Sequence, residues 1–173
     1  LHLLNDYAIS KSVNEQQIRN AVSLGGEIVT VRLFNVYGPG EYYSPYRSAM
    51  AIFCYSCLKN LPFSVYEDHS RSWLYIDDAV NSLLSILENF YTGRFYNIGG
   101  WPQYSIDDLA TLVRKYSGRS RDLINYHHKE CTAVLFKNLD CSLAKKELGH
   151  KSITSINLGI KQTLRWMKQV YYV

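Results

Sequence analysis

Ile28-Val29-Thr30-Val31-Arg32-Leu33-Phe34 runs without a break into Asn35-Val36-Tyr37-Gly38-Pro39-Gly40, and this junction decides the fold. The first seven residues are rich in β-branched side chains and nearly continuous in apolar character. That pattern predicts a strand covered on both faces in a parallel sheet. The next six carry Asn, Gly and Pro, which turn a chain for distinct backbone reasons. A turn at the C-terminal end of such a strand is where open α/β sheets place their ligands.

Upstream, residues 7–24 have helical spacing, with Ile9, Val13, Ile18 and Ala21 or Val22 apolar and Lys11, Glu15, Gln16 and Arg19 between them, and Gly25-Gly26 closes the helix. Downstream, the pattern predicts a helix over 44–58, short strands over 63–66 and 73–76 flanking a polar loop, and a helix opened by Asp77-Asp78. A strand follows at Phe95-Tyr96-Asn97-Ile98. Ser105 caps a helix that Gly118 stops, and two further helices lie over 142–148 and 155–171. The stretch 119–139 carries no clear period.

The 173 residues are 47% hydrophobic and 20% charged, enough for a real core in one domain or the compact part of a larger protein. Nineteen Lys and Arg against fifteen Asp and Glu leave a net charge of +4 without basic runs, which argues against nucleic acid as a partner. No apolar run has membrane-spanning length and no signal peptide is present, so a cytoplasmic protein with reduced thiols and no membrane partner is expected. Cys54-Tyr55-Ser56-Cys57 has metal or redox spacing but lies inside an apolar helical pattern, with Cys131 and Cys141 far off in sequence; buried thiols are the expectation. His127-His128 reads as loop rather than metal site, and Tyr42, Tyr43, Tyr46 and Tyr55 either pack or line a pocket.

Tyr7-Ala8-Ile9-Ser10-Lys11 places a phenol and an ammonium one helical turn apart on one face. A free tyrosine titrates near ~10, and a fixed cation beside it favours the phenolate, which could take a proton from a hydroxyl at neutral pH. Spacing alone is weak, because such pairs are common on solvated helices.

Four ordered motifs are more specific: Tyr7-x-x-x-Lys11, then Arg32-Leu33-Phe34-Asn35-Val36-Tyr37-Gly38-Pro39-Gly40, then Arg71-Ser72-Trp73-Leu74-Tyr75-Ile76-Asp77-Asp78-Ala79, then Tyr96-Asn97-Ile98-Gly99-Gly100. In this order the chain resembles the extended short-chain dehydrogenase/reductase family of NAD-dependent nucleotide-sugar epimerases and dehydratases. The likeness continues through Asp140-x-x-x-Ala144 to Trp166. The resemblance implies an α/β fold: the C-terminal part of a Rossmann-type doubly wound parallel sheet plus a smaller mixed α/β substrate-binding lobe. Residues 1–40 would be the remaining helix and strand of the NAD-binding domain, and 41–173 mainly the nucleotide-sugar lobe, with some segments returning to the sheet. The opening without Met and the absence of a Gly-x-x-Gly-x-x-Gly loop read as a C-terminal portion.

The same resemblance implies Tyr7 and Lys11 as the catalytic pair, both also touching NAD (with NADP left open) together with Phe34 and Val36. It implies Asn35, Arg71 and Asn97 as contacts to a nucleotide-diphosphate sugar, and a homodimer. Relatives also carry an Arg shortly before the residue matching Asp140; here Lys137 stands nearest as a substitute point charge. The implied reaction is epimerisation or dehydration through a 4-keto intermediate. A non-catalytic nucleotide-sugar-binding fragment and a 4-keto-sugar reductase are the alternatives.

Overall fold

The computed structural model describes residues 5–67, 69–127 and 138–172. Lys137, His128 and Cys131 therefore lie outside the described residues. The first helix, α1 (Asp6–Ser23), begins where the Asn5 side chain accepts a bond from Ala8 N at 2.9 Å. It is followed by β1 (Thr30–Phe34) and, after the single residue Asn35, by β2 (Val36–Tyr37).

Helix α2 (Ala49–Lys59) starts later than its apolar pattern suggests. The Ser48 hydroxyl accepts from Ala51 N, and the Glu41 carboxylate accepts from Ser48 N and Oγ at 3.3 and 2.9 Å, which fixes the helix start after Pro45. The clean alternation of β3 (Phe63–Tyr66) buries Phe63 and Val65 and exposes Ser64 and Tyr66. The polar loop expected before Arg71 contains β4 (Ser70–Ser72), and β5 (Leu74–Tyr75) is shorter than predicted because Ile76 already enters α3 (Ile76–Glu88). Then come β6 (Phe95–Gly99), β7 (Gln103–Ser105) and α4 (Ile106–Ser117), whose Ser105 cap and left-handed Gly118 stop match the sequence reading. The unreadable stretch holds a one-turn 3-10 helix (Arg121–Leu123) and β8 (Ile124–His127). Helices α5 (Ser142–Leu148) and α6 (Ile156–Tyr171) end the described chain.

Among the described residues the strands pair as β1 with β6, β2 with β5 and β3 with β8, all parallel, and β4 with β7 antiparallel. The chain is thus mixed α/β with parallel strands. One expectation is corrected: β1 is not covered on both faces. None of its residues is fully buried and Arg32 and Leu33 are exposed, because among the described residues it pairs along one edge only and its Arg32 leaves the apolar pattern to meet Glu15 at 2.5 Å. Helix α1 likewise buries none of its residues.

The core divides in two. The larger cluster joins α2, α4 and α6 over β3, with Met50, Cys54, Val65, Leu109, Ile160 and Met167 all buried. Cys54 and Cys57 belong to it, and burial pushes both thiols upward. The smaller joins Leu74, Ile86, Tyr96, Ile98 and Leu148 beneath α3 and α5. The buried Asp78 carboxylate ties α3 to the entry of α6 by accepting from Thr154 N and Oγ1 at 2.9 and 3.2 Å. Among the described residues no helix is long and apolar enough to cross a membrane.

Tyr37 bridges from β2 into the larger core by resting on α6 at Gly159, where an added methyl would fall on the Tyr37 hydroxyl. Gly159→Ala should therefore lower stability by about 1–3 kcal/mol, the ordinary cost of overpacking, even though Ala is the better helix former. Chemical denaturation should also show that adding Tyr37→Phe recovers part of that loss; strictly additive effects would contradict the contact.

Candidate functional site

Asn35 is the hinge of the site. Its backbone is left-handed at φ 40°, a conformation that Asn tolerates better than most side chains. Its Nδ2 donates to Ser72 O at 2.8 Å, and its own carbonyl accepts from Leu74 N at 3.2 Å. Through this one residue the chain leaves its partner β6 and takes up β5. The turn beyond it is tight: Gly38 has φ 143°, and a Cβ there would lie 2.6 Å from Ile76 Cγ2.

Beside this hinge opens a cavity of about 590 Å³, with Asn35, His69, Arg71, Trp73, Arg47 and Tyr43 in its walls. Arg71 sits at the middle of β4 opposite Tyr104 and donates from Nη1 to Ser70 O at 2.8 Å. Burial draws its guanidinium below the usual arginine range. His69 is buried, and its Nδ1 lies 2.9 Å from Glu67 O, so Nδ1–H donates there. That leaves Nε2 without a partner among the described residues, as are Trp73 Nε1 and Ser72 Oγ. Unspent buried polar groups cost roughly 1–3 kcal/mol each, and active sites are one place where folds carry such a cost. No Asp or Glu stands among the described residues lining the cavity, whose fixed charges are both positive. The planar fork of a guanidinium suits a phosphate.

A second cleft, about 420 Å³, is lined by Val36–Glu41, Arg47 and Ile76, so Arg47 borders both spaces. Tyr43 stacks on Tyr55 at 3.9 Å and Tyr42 meets Trp166 edge-on, while Tyr46 is exposed; of the tyrosines that could line a pocket, Tyr43 does both.

Tyr7 and Lys11 share one face of α1, with Lys11 Nζ 5.6 Å from the Tyr7 ring centre. Tyr7 is 71% exposed, and neither residue lines a cavity described above. Helix α1 is carried by β1 through Glu15 and Arg32; the guanidinium holds the Glu15 carboxyl below its usual range. Phe34 ends β1 against Gly99, and Val36 lines the second cleft. Asn97 stands on β6 facing Arg32, donates from Nδ2 to Asp140 O at 2.9 Å and accepts from Arg32 Nη1 at 3.5 Å. Its amide thus fastens the segment before α5 and lines no cavity described above.

Sequence reasoning named Asn35 and Arg71 but passed over His69, Trp73 and Arg47. The signal for the first two was there: His69, Arg71 and Trp73 alternate, and on an extended segment alternate residues share a face.

The NAD dependent epimerase/dehydratase family profile matches residues 1–99, more than half of the chain. The chain belongs to the NAD-dependent epimerase/dehydratase family. Relatives of this family include UDP-N-acetyl-alpha-D-glucosaminuronate decarboxylase of Bacillus cytotoxicus, 24% identical over 95% of this chain and 53% of its own length. UDP-glucuronate 4-epimerase 4 of Arabidopsis thaliana is 28% identical over 95% of this chain and 41% of its own. The chain thus spans about half the length of the curated relatives it matches. Among solved structures, an epimerase of Methanothermobacter thermautotrophicus superposes with a TM-score of 0.91 at 21% identity, over 99% of this chain and 52% of the other. A UDP-glucuronic acid 4-epimerase variant from Bacillus cereus, solved with a UDP-sugar analogue and NAD, gives 0.87 at 26% identity, over 97% and 54%.

The Asn35 hinge can be separated into backbone and side-chain parts. Asn35→Ala loses both the bond to Ser72 O and the tolerance of positive φ and should cost about 2 kcal/mol. Asn35→Gly keeps the backbone freedom and should cost about 1 kcal/mol less. Equal losses in urea melts would mean that φ at this position carries no strain.

Proposed function

We propose that the chain supplies the nucleotide-sugar lobe and the catalytic tyrosine-lysine pair of an enzyme that works through a 4-keto sugar intermediate, as an epimerase or 4,6-dehydratase. The observation that carries this reading is the cavity holding Asn35 and Arg71 at the C-terminal end of β1, with no Asp or Glu among the described residues that line it. Residues 1–40 are then the closing helix and strand of an NAD-binding Rossmann domain, and 41–173 mainly the substrate lobe, with β6 returning to lie beside β1.

The residues present fit one end of NAD. Tyr7, Lys11, Phe34 and Val36 lie on or next to α1 and the β1 turn, where Gly38 leaves the backbone bare of side chain. Nothing in the 173 residues supplies a glycine-rich phosphate loop for the adenosine end. When bound, NAD supplies a reversible hydride acceptor. Exposed on α1 with Lys11 beside it, Tyr7 would take the proton of the sugar C4 hydroxyl as a phenolate and return one later. Arg71 and Asn35 would hold the diphosphate and sugar in register for that transfer, the positioning from which much of enzymatic rate derives. Asn97 would serve by fastening Asp140, and Lys137, three residues earlier in the sequence, as a diphosphate contact. Pairing of two copies through α1, whose Ile9 and Val13 are exposed on the face away from Tyr7, would make a homodimer.

One observation favours a second reading, that of a nucleotide-sugar-binding unit without turnover: Tyr7 and Lys11 line neither cavity. The two readings separate on incubation of the protein with NAD and UDP-, dTDP-, GDP- and CDP-sugars. Loss of the mass of water marks a dehydratase, and altered stereochemistry at unchanged mass marks an epimerase. Tyr7→Phe should reduce either turnover by at least ~100-fold while leaving nucleotide-sugar affinity within about two-fold. Binding with no turnover in the unaltered protein would contradict the enzyme reading and support the second.

A further inference from the structure

We infer that His69 Nε2 accepts a hydrogen bond from a ribose hydroxyl of the bound nucleotide, which makes His69 a residue that selects the ligand's pentose. The inference rests on the nucleotide-sugar reading above and deepens it, from the diphosphate at Arg71 to the nucleoside beyond.

Three observations carry it. His69 is buried and lines the Asn35–Arg71 cavity, and its Nε2 has no partner among the described residues. Its Nδ1–H is spent on Glu67 O at 2.9 Å, so in the neutral ring Nε2 holds a lone pair, which only a donor satisfies. The backbone beneath it is fixed as well: Ile106 N donates to His69 O at 2.9 Å, which carries the β4–β7 ladder one residue past Ser70 and Ser105. His69, Arg71 and Trp73 thus follow one another along the cavity wall at intervals of about 6.6 Å, twice the rise of a strand. This row has a direction. Asn35 Nδ2 clasps it at Ser72 O, next to Trp73, whereas the bond to Glu67 O sets the His69 ring beside the end of β3, whose Phe63, Ser64 and Tyr66 line the same cavity.

A nucleotide sugar laid along the row matches that order. With its sugar toward Asn35 and its diphosphate at Arg71, the next group toward β3 is the pentose, which offers hydroxyl donors where an ionised diphosphate offers acceptors. The base lies one step further on. A buried acceptor discriminates between pentoses, because a ligand without the matching hydroxyl leaves it buried and unpaired. Ribose carries hydroxyls at C2′ and C3′ and deoxyribose at C3′ alone, so a bond at C2′ would make the site selective for ribonucleotide sugars over thymidine ones.

Calorimetric titration of the full chain tests this with whichever of UDP, GDP and CDP binds most tightly, with the 2′-deoxy and 3′-deoxy forms of that nucleotide, and with dTDP. The proteins compared are the unaltered chain, His69→Asn and His69→Gln, each checked by its thermal melt. Asn keeps a donor for Glu67 O and removes the acceptor at the Nε2 position, whereas Gln brings an amide oxygen close to it. The unaltered protein should bind the ribonucleotide about ten-fold more tightly than one of its two deoxy forms. His69→Asn should weaken the ribonucleotide by about that factor and leave the disfavoured deoxy form within about two-fold, erasing the preference, and His69→Gln should restore part of it. A preference at either carbon supports the inference. Should His69→Asn fail to fold, the preference of the unaltered protein and its change in His69→Gln decide alone. No preference in the unaltered protein, an equal loss for all three forms in His69→Asn, as a contact to the base would give, or binding of dTDP alone overturns the inference and leaves the proposed function standing. Failure of the unaltered protein to bind any of these nucleotides overturns both.

Discussion

The structure depends on a single amide held in a left-handed turn. Asn35 at φ 40°, its Nδ2 on Ser72 O, lets one extended segment serve two neighbours, β6 before the turn and β5 after it. A strand that simply continued would keep β6 as its partner and leave no opening at its end. Since the clasp reaches Ser72, it also fixes the last residue of β4 and with it Arg71, one position earlier. Backbone strain at the hinge and the position of the cavity's central cation are therefore the same constraint seen from two sides.

Around that hinge the two core clusters divide the work. The larger one holds α2, α4 and α6 against β3 and β8 and builds the floor of the cavity; Phe53 and Phe63 belong to both core and wall. The smaller one holds α3 and α5 under β6 and is joined to the first through Asp78 and Thr154. A groove of about 360 Å³ between β1 and α3 remains open, lined by Val29, Val31, Leu83, Leu84, Leu87 and Phe90.

Local chemistry explains what could be read from the sequence. Helix α4 was legible at both ends because Ser105 and Gly118 satisfy backbone groups within the helix itself, and β3 was legible because its alternation matches its burial. Motif order pointed to Asn35 and Arg71, and both line the cavity. The strands β4 and β8 were not, because each is short and owes its existence to a distant partner, β7 and β3 respectively, which no local period reports. The start of α2 was misplaced for a similar reason, since Glu41 sets it from seven residues before Ser48. The burial of β1 was overread: its composition suits cover on both faces, and the described chain gives it one neighbouring strand.

The central claim is that the space between Asn35 and Arg71 receives a nucleotide diphosphate. A crystal structure of the protein grown with UDP tests it directly. The account predicts the diphosphate in that cavity, within hydrogen-bonding distance of the Arg71 guanidinium and with the Asn35 turn unmoved. A nucleotide bound elsewhere on the chain, or an Arg71 side chain turned away from it, would contradict the account.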